Sequence, residues 1–192
     1  MTKSILLVGV GGQGTILAGK IITSGLLSAG YDVKMSEIHG MSQRGGSVST
    51  HVRYGERVDS PVIELGGADI LVAFELMEAV RWLEYQKPDG LLILNNYKLN
   101  PMPVLIGKAD YPNDFLNALR GCTKTFEIDG LKESMALGGV IAMNLLLLGA
   151  AVTKAGLVDG RIDWNKIIES EVKQEFADIN KRAFARGCEL AQ

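Results

Sequence analysis

The residues best suited to chemistry sit in two glycine-rich segments near the amino terminus. The first, Gly9-Val10-Gly11-Gly12-Gln13-Gly14, follows the apolar run Ile5-Leu6-Leu7-Val8 and opens a helical pattern. The second, His39-Gly40-Met41-Ser42-Gln43-Arg44-Gly45-Gly46-Ser47, comes about thirty residues later. Gly9, Gly11 and Gly14 fit G-x-G-x-x-G after a strand. In that setting glycines allow a tight turn, let backbone approach a phosphate and expose helix amides to an anion. Glu37, at the end of a second strand, stands where a dinucleotide fold places its ribose-binding acid. The same glycines also suit a turn that only packs a helix on a sheet, so the first loop alone leaves both readings open. Gly14 to Lys20 has P-loop spacing, but Ile21 replaces the magnesium-binding Ser or Thr. That match is a coincidence of spacing within a helix.

In the second segment Arg44 lies between Gln43 and the pair Gly45-Gly46. It offers a bidentate grip on a carboxylate or other anion beside bare backbone amides. A glycine turn carrying a solvated arginine is the competing account. The chain continues as Ser47–Tyr54, an alternating stretch with Ser47, Ser49, His51 and Arg53 on one face. This face can line a ligand site or a subunit interface, and an exposed sheet face is the commoner outcome. His39 and His51 have no nucleophile or carboxylate implied beside them, so neither reads as a general base. Glu75, Asn95 and Asn96 fall at strand ends, where ligands gather in open α/β sheets, but they suit helix caps and turns equally.

These segments need elements to hold them. Strands are predicted over 3–10, 31–37, 47–54, 68–74, 91–95 and 123–128, from apolar runs and alternation. Helices are predicted over 13–29, 76–86, 114–120, 135–152, 162–168 and 171–190. Gly55-Glu56 turns the chain after the alternating strand and implies an antiparallel hairpin or edge; Pro88-Asp89-Gly90 is a turn and 97–103 a loop. Alternating strands and helices with no linker or repeat give one domain over 1–192. The expected fold class is α/β, a three-layer Rossmann-like domain with a mostly parallel sheet and an inserted antiparallel hairpin.

Composition narrows the function. A net charge of −2 over 192 residues gives no reason to expect nucleic acid or an anionic membrane. Cys122 and Cys188 are the only cysteines. They exclude a chain-contained four-cysteine iron–sulfur cluster or a cysteine-type zinc site, argue against a disulfide framework, and imply a reducing cytoplasm. The amino terminus lacks the pattern of a signal peptide. Ser134 to Thr153 carries no charge and approaches the length of a membrane span, but its glycines and Asn144 favour a helix buried in the chain or against a partner subunit. If Asn144 is buried, it needs a hydrogen-bond partner.

The run Gly9 to Gly14 together with Glu37-Ile38-His39-Gly40-Met41-Ser42-Gln43-Arg44-Gly45-Gly46-Ser47-Val48 closely resembles the small subunits of indolepyruvate:ferredoxin oxidoreductases. More broadly it is similar to the gamma subunits or domains of the 2-oxoacid:ferredoxin oxidoreductases. The likeness covers most of the chain, including Met143 to Gly149, and the Gln-Arg form points to the indolepyruvate branch. The resemblance implies a subunit of a complex that oxidatively decarboxylates a 2-oxoacid, such as indolepyruvate, to an acyl-CoA and reduces ferredoxin. Thiamine diphosphate, magnesium and [4Fe–4S] clusters are then expected in a large partner subunit, with CoA as co-substrate. This chain would hold no metal, be inactive alone and complete the assembly. Its substrate- or CoA-side contacts would be Gly9, Gly11, Gly12, Gln13, Gly14, Gln43, Arg44, Gly45 and Gly46. Arg44 would act electrostatically on a carboxylate or a CoA phosphate, and Gln13 by its amide. Two other readings remain beside it: an NAD(P)-dependent dehydrogenase using Gly9, Gly11, Gly14 and Glu37, and a non-enzymatic nucleotide- or CoA-binding module.

Overall fold

The computed structural model describes residues 1–40, 45–112 and 114–192. Six strands form one sheet: β1 (Lys3–Val10), β2 (Asp32–His39), β3 (Ser47–Gly55), β4 (Ala68–Ala73), β5 (Gln86–Asn95) and β6 (Lys124–Ile128). Their spatial order is β2-β3-β1-β4-β5-β6, with β1, β4, β5 and β6 parallel and β3 antiparallel to both of its neighbours. The expected mixed α/β sheet with an antiparallel insertion is therefore present. The insertion itself differs from expectation. The antiparallel pair is β2 with β3, whereas Gly55-Glu56 leads away toward β4. It is β2 that lies at the edge.

Alternation along the strands divides two cores. Ile5, Leu7, Val52, Ile70, Val72 and Ile93 face α1 (Thr15–Ser28) and α6 (Met143–Lys154), with α7 (Trp164–Glu171) and α8 (Gln174–Leu190) completing that layer. Leu6, Val8, Leu71, Ala73, Leu92 and Leu94 face α2 (Leu76–Trp82) and α4 (Phe115–Cys122). A strand buried on both faces has no polar phase, which is why β1 and β4 read as unbroken apolar runs.

The long apolar helix expected over 135–152 is two helices. α5 (Gly130–Leu137) stops at Gly138, whose φ of 115° is open to glycine, and a short 3-10 turn, Val140–Ala142, leads into α6. Every residue of α6 from Asn144 to Val152 is buried. Its four leucines, Leu145 to Leu148, are fully covered by the sheet and α8. Each contributes roughly 1.5–3 kcal/mol of apolar burial. The α6–α8 crossing is close because two glycines face opposing backbone. A Cβ on Gly149 would lie 2.1 Å from the Phe184 carbonyl oxygen, and one on Gly187 would lie 1.9 Å from that of Leu146. Among the described residues no helix is long and apolar enough to cross a membrane. Asn144 to Val152 of the uncharged run serves as core, whereas Met135, Val140 and Ile141 are exposed.

The remaining differences are at boundaries. α2 ends at Trp82, and a 3-10 turn over Leu83–Tyr85 follows. The Pro88-Asp89-Gly90 turn falls inside β5, beside a register shift in its pairing with β4. A four-residue helix, α3 (Met102–Leu105), ends the 97–103 loop.

Candidate functional site

The carboxyl ends of β1, β4 and β5 meet the two glycine segments, and backbone geometry makes those segments one unit. The Gly11 N–H donates to the Gly46 carbonyl at 2.8 Å, and the Gly45 N–H donates to the Gly11 carbonyl at 3.4 Å. These bonds extend the antiparallel β1–β3 ladder one step beyond its last pair, Val10–Ser47. Gly12 has φ 102° and Gly14 has φ 81°, conformations that side chains resist, and the chain passes through them straight into α1. No side chain caps α1. Its first-turn amides have no intrahelical acceptors, and Thr15 and Ile16 of that turn line a cavity. The P-loop-like spacing from Gly14 to Lys20 lies within this helix, apart from Gly14 as its cap.

Gln13 works inward. Its Oε1 accepts from the Val10 N–H at 2.7 Å and its Nε2 donates to the Phe74 carbonyl at 3.2 Å. The amide expected to reach a ligand thus ties the end of β1 to the residue after β4. Asn95, fully buried, meets the same point. Its Nδ2 donates to the Phe74 carbonyl at 3.1 Å, and its Oδ1 accepts from the Gly130 N–H at 3.1 Å. The Phe74 carbonyl is a shared acceptor that locks three strand ends and α5 together.

Three cavities open around this unit. One of about 300 Å³ is lined by Gly11, Gly12, Gly14, Thr15, Ile16, His39 and Val48. A second, about 540 Å³, lies between Gly12-Gln13-Gly14 and Tyr97, Val140, Ile141, Met143 and Asn144. The third, about 520 Å³, lies across the loops and contains Val10, Gly45, Gly46, Ser47, Glu75, Glu78, Arg81 and Met102 among its lining. Two apolar residues of its lining, Met102 and Leu105, are more than half exposed. Asn144 is buried, and its Nδ2 reaches the Gly14 carbonyl at 3.5 Å, so α6 supports the first loop from below.

Two buried carboxylates stand at the third cavity. Glu75 caps α2, accepting from the Glu78 N–H at 3.0 Å, and also takes the Leu99 N–H at 3.1 Å and the Tyr111 hydroxyl at 2.8 Å. Desolvation, then the hydrogen bond to Glu75, push the Tyr111 hydroxyl well above its ordinary range. Glu78 accepts from the Ser47 hydroxyl, from Arg81 Nε at 3.1 Å and from Trp82 Nε1 at 3.3 Å. Sequence patterning singled out Glu75 without deciding its role and passed over Glu78. The available signal was the i, i+3 spacing of the two acids at a helix start.

The polar face of β3 is not exposed. Ser49 and His51 are buried, because β3 lies inside the sheet and the end of α2 covers that face. Trp82 and Tyr85 stand edge-on to the His51 ring at 6.3 and 6.2 Å. His51 Nδ1 accepts from the Ile63 N–H at 3.1 Å, which leaves the ring proton on Nε2, toward Ser49 Oγ at 3.5 Å. Burial lowers its pKa below the ordinary 6.5. His51 is a core residue. His39 is exposed at the cavity edge.

Of the expected site residues, the structure brings Gly9, Gly11, Gly12, Gln13, Gly14, Gly45 and Gly46 to one end of the sheet. Gln43 and Arg44 lie outside the described residues. Glu37 does not join the group. It pairs with Thr50 on β3, and Thr50 pairs with Leu7 on β1, so Glu37 stands two strands from β1, about 10 Å away. A dinucleotide fold needs that acid on the adjacent strand. The two cysteines lie on helices of opposite layers, Cys122 on α4 and Cys188 on α8, and cannot share a cluster. Among the described residues no group of His, Cys, Asp and Glu is placed to hold a metal ion.

Comparisons with known proteins converge. The sequence profile of the pyruvate ferredoxin/flavodoxin oxidoreductase family matches residues 4–190. The indolepyruvate oxidoreductase subunit IorB of Thermococcus kodakarensis is 34% identical over 98% of this chain and 96% of its own length. The fold recurs in the gamma subunit of a keto/oxoacid ferredoxin oxidoreductase from Geobacter sulfurreducens, with a TM-score of 0.70 at 24% identity, covering 98% of each chain. It also recurs in a 2-oxoglutarate:ferredoxin oxidoreductase from Magnetococcus marinus, with a TM-score of 0.74 at 18% identity, where it corresponds to 31% of the longer chain.

Proposed function

The chain belongs to the pyruvate ferredoxin/flavodoxin oxidoreductase family, and from that premise we propose that it is the small subunit of an indolepyruvate-type 2-oxoacid:ferredoxin oxidoreductase. The reaction is oxidative decarboxylation of an aryl 2-oxoacid to its acyl-CoA, with electrons passed to ferredoxin in the cytoplasm. Thiamine diphosphate supplies carbanion stabilisation, and it resides with magnesium and the [4Fe–4S] clusters in a large partner subunit. The observation that carries this reading is the joining of Gly11 to Gly46. It turns two sequence motifs into a single wall at the end of the sheet, backed by the uncapped α1. The name of the 34% identical relative supports the choice of substrate class. The separated cysteines support placing the clusters elsewhere.

In this reading the chain orients and screens rather than reacts. The first-turn amides of α1 favour an anionic group of the 2-oxoacid or of CoA at the loop wall. Gln43 and Arg44 extend that grip, Arg44 as the charge partner of a carboxylate or phosphate. Gln13 holds Val10 and Phe74 so that the glycine turn keeps its shape. The exposed Met102 and Leu105 seat the large subunit and exclude water where the two meet. The dehydrogenase alternative loses its ribose acid, since Glu37 is a strand too far from the loop.

Mixing the purified chain with the large subunit tests the proposal. Ferredoxin reduction that depends on both a 2-oxoacid and CoA is expected only from the mixture, with the chain alone colourless and inactive. Nicotinamide-dependent turnover by the chain alone would overturn it, and CoA binding with no turnover in the mixture would favour a binding module.

A further inference from the structure

The second loop leaves its turn at Ser47, the first residue of β3, and that residue is held from outside the sheet. The Ser47 hydroxyl donates to the Glu78 carboxylate on α2 and accepts from Trp82 Nε1 at 3.2 Å. Glu78 is buried, its side chain 6% exposed, and its other oxygen is occupied by Arg81, whose own side chain is 54% exposed at the cavity lip. Ser47 pairs with Val10, and the next step of the ladder is the Gly11–Gly46 bond. A buried carboxylate therefore holds the residue next to the Gly11–Gly46 bond.

We infer that Glu78 is a positioning residue for the co-substrate site, acting through Ser47 to hold Gly45-Gly46 against Gly11. The inference rests on the reading of the paired loops as a wall of that site. A carboxylate is suited to the task, because a charge-assisted hydrogen bond to a buried acceptor is stronger and more directional than a neutral one. Trp82 and Arg81 keep the carboxylate from turning away. The Glu75 cap orients the first turn of α2 and so the backbone that carries Glu78.

The test uses the full chain, alone and in the complex, with Ser47→Ala, Glu78→Ala, Glu78→Gln and the Ser47→Ala/Glu78→Ala double variant. Amide hydrogen exchange at Gly11 and Gly45 reads the loop contact without reference to any activity. Exchange is expected to quicken about tenfold in Ser47→Ala and in Glu78→Ala, with no further gain in the double variant, the size of one lost charge-assisted bond. Glu78→Gln keeps an acceptor for Ser47 but removes its charge, and is expected to fall between wild type and Glu78→Ala. In the complex, Ser47→Ala is expected to raise the KM for CoA or the 2-oxoacid about tenfold while kcat changes less. Unchanged exchange in Ser47→Ala, or additive effects in the double variant, would overturn the inference. Quickened exchange with wild-type KM values would also overturn it, since the clamp would then be structural alone. If the wild-type complex shows no 2-oxoacid turnover, it is the functional reading that fails, and the exchange arm still reports on the clamp.

Discussion

Gly11 and Gly46 are hydrogen-bonded backbone to backbone at 2.8 Å, so the first glycine motif is tied to the Gly45-Gly46 end of the second, a helix and a strand away in sequence. Each motif alone has a bland explanation. Joined, they place glycine backbone at the mouth of all three cavities, where a side chain would obstruct it.

That relationship separates two substitutions in the first loop. Gly14→Ala introduces a Cβ 2.5 Å from Asn144 Nδ2 at a φ of 81°. A cost of about 1–3 kcal/mol is expected from the backbone, with the steric clash added. Gly12→Ala meets nothing within 4 Å and carries the backbone cost alone. Chemical denaturation should rank Gly14→Ala as the less stable. Asn144→Ala should recover part of the Gly14→Ala loss, because it removes the atom that clashes.

The α6–α8 crossing yields a sharper contrast. Gly149→Ala or Gly187→Ala forces a methyl group into a carbonyl oxygen at about 2 Å, and neither backbone can move without parting the helices. A loss above roughly 3 kcal/mol is expected for each, seen as a large fall in melting temperature or as insoluble chain. Gly121, on α4, has open space around it. Gly121→Ala should leave stability unchanged or raise it by up to about 1 kcal/mol, from helix propensity.

Much of this was legible from residue patterns, and what was missed has physical causes. β1 and the buried run of α6 announce themselves because burial on several sides demands apolar residues at every phase, and α1 because its buried residues recur on one face. The closeness of the two loops was also readable, since both follow strands expected to end on one side of the sheet. The burial of Ser49 and His51 was not. It depends on Trp82 and Tyr85, residues that sequence periodicity assigns to another element. The role of Glu78 was hidden for the same reason: its partner Ser47 is thirty-one residues away and meets it only through strand order. Local patterning placed Glu37 on β2, which in fact runs two residues further to His39, yet β3 enters between β2 and β1 and removes it from the loop.

His51 gives stability a pH dependence with a definite sign. Burial favours its neutral form, and Nδ1 must stay unprotonated to accept from Ile63. The folded pKa lies below the unfolded 6.5. The stabilisation is therefore complete above about pH 6.5 and is lost as pH falls through the folded value. As pH falls below about 6.5, unfolding free energy should decline more steeply in the wild type than in His51→Phe. An NMR titration of the His51 ring that inflects at or above 6.5 would contradict the assignment.

Gln13 and Arg44, the two side chains that sequence alone nominates together, should part company when mutated. Gln13 uses both ends of its amide inside the chain, so Gln13→Glu sets a carboxylate oxygen against the Phe74 carbonyl where Nε2 now donates. A loss of about 1–3 kcal/mol follows from the unmade bond, and complex activity should fall in step with stability. Arg44 has no such internal duty in the proposed function. Arg44→Ala should leave unfolding free energy within about 0.5 kcal/mol of wild type, since in the proposed function its side chain serves the ligand. It should also lower activity of the complex far more than Gln13→Glu does at a temperature where both variants are folded. The deciding measurement is a plot of complex activity against chain stability for the two variants. If Arg44→Ala retains full activity, Arg44 has no part in the site, and the anion must be held by the backbone amides of the joined loops alone.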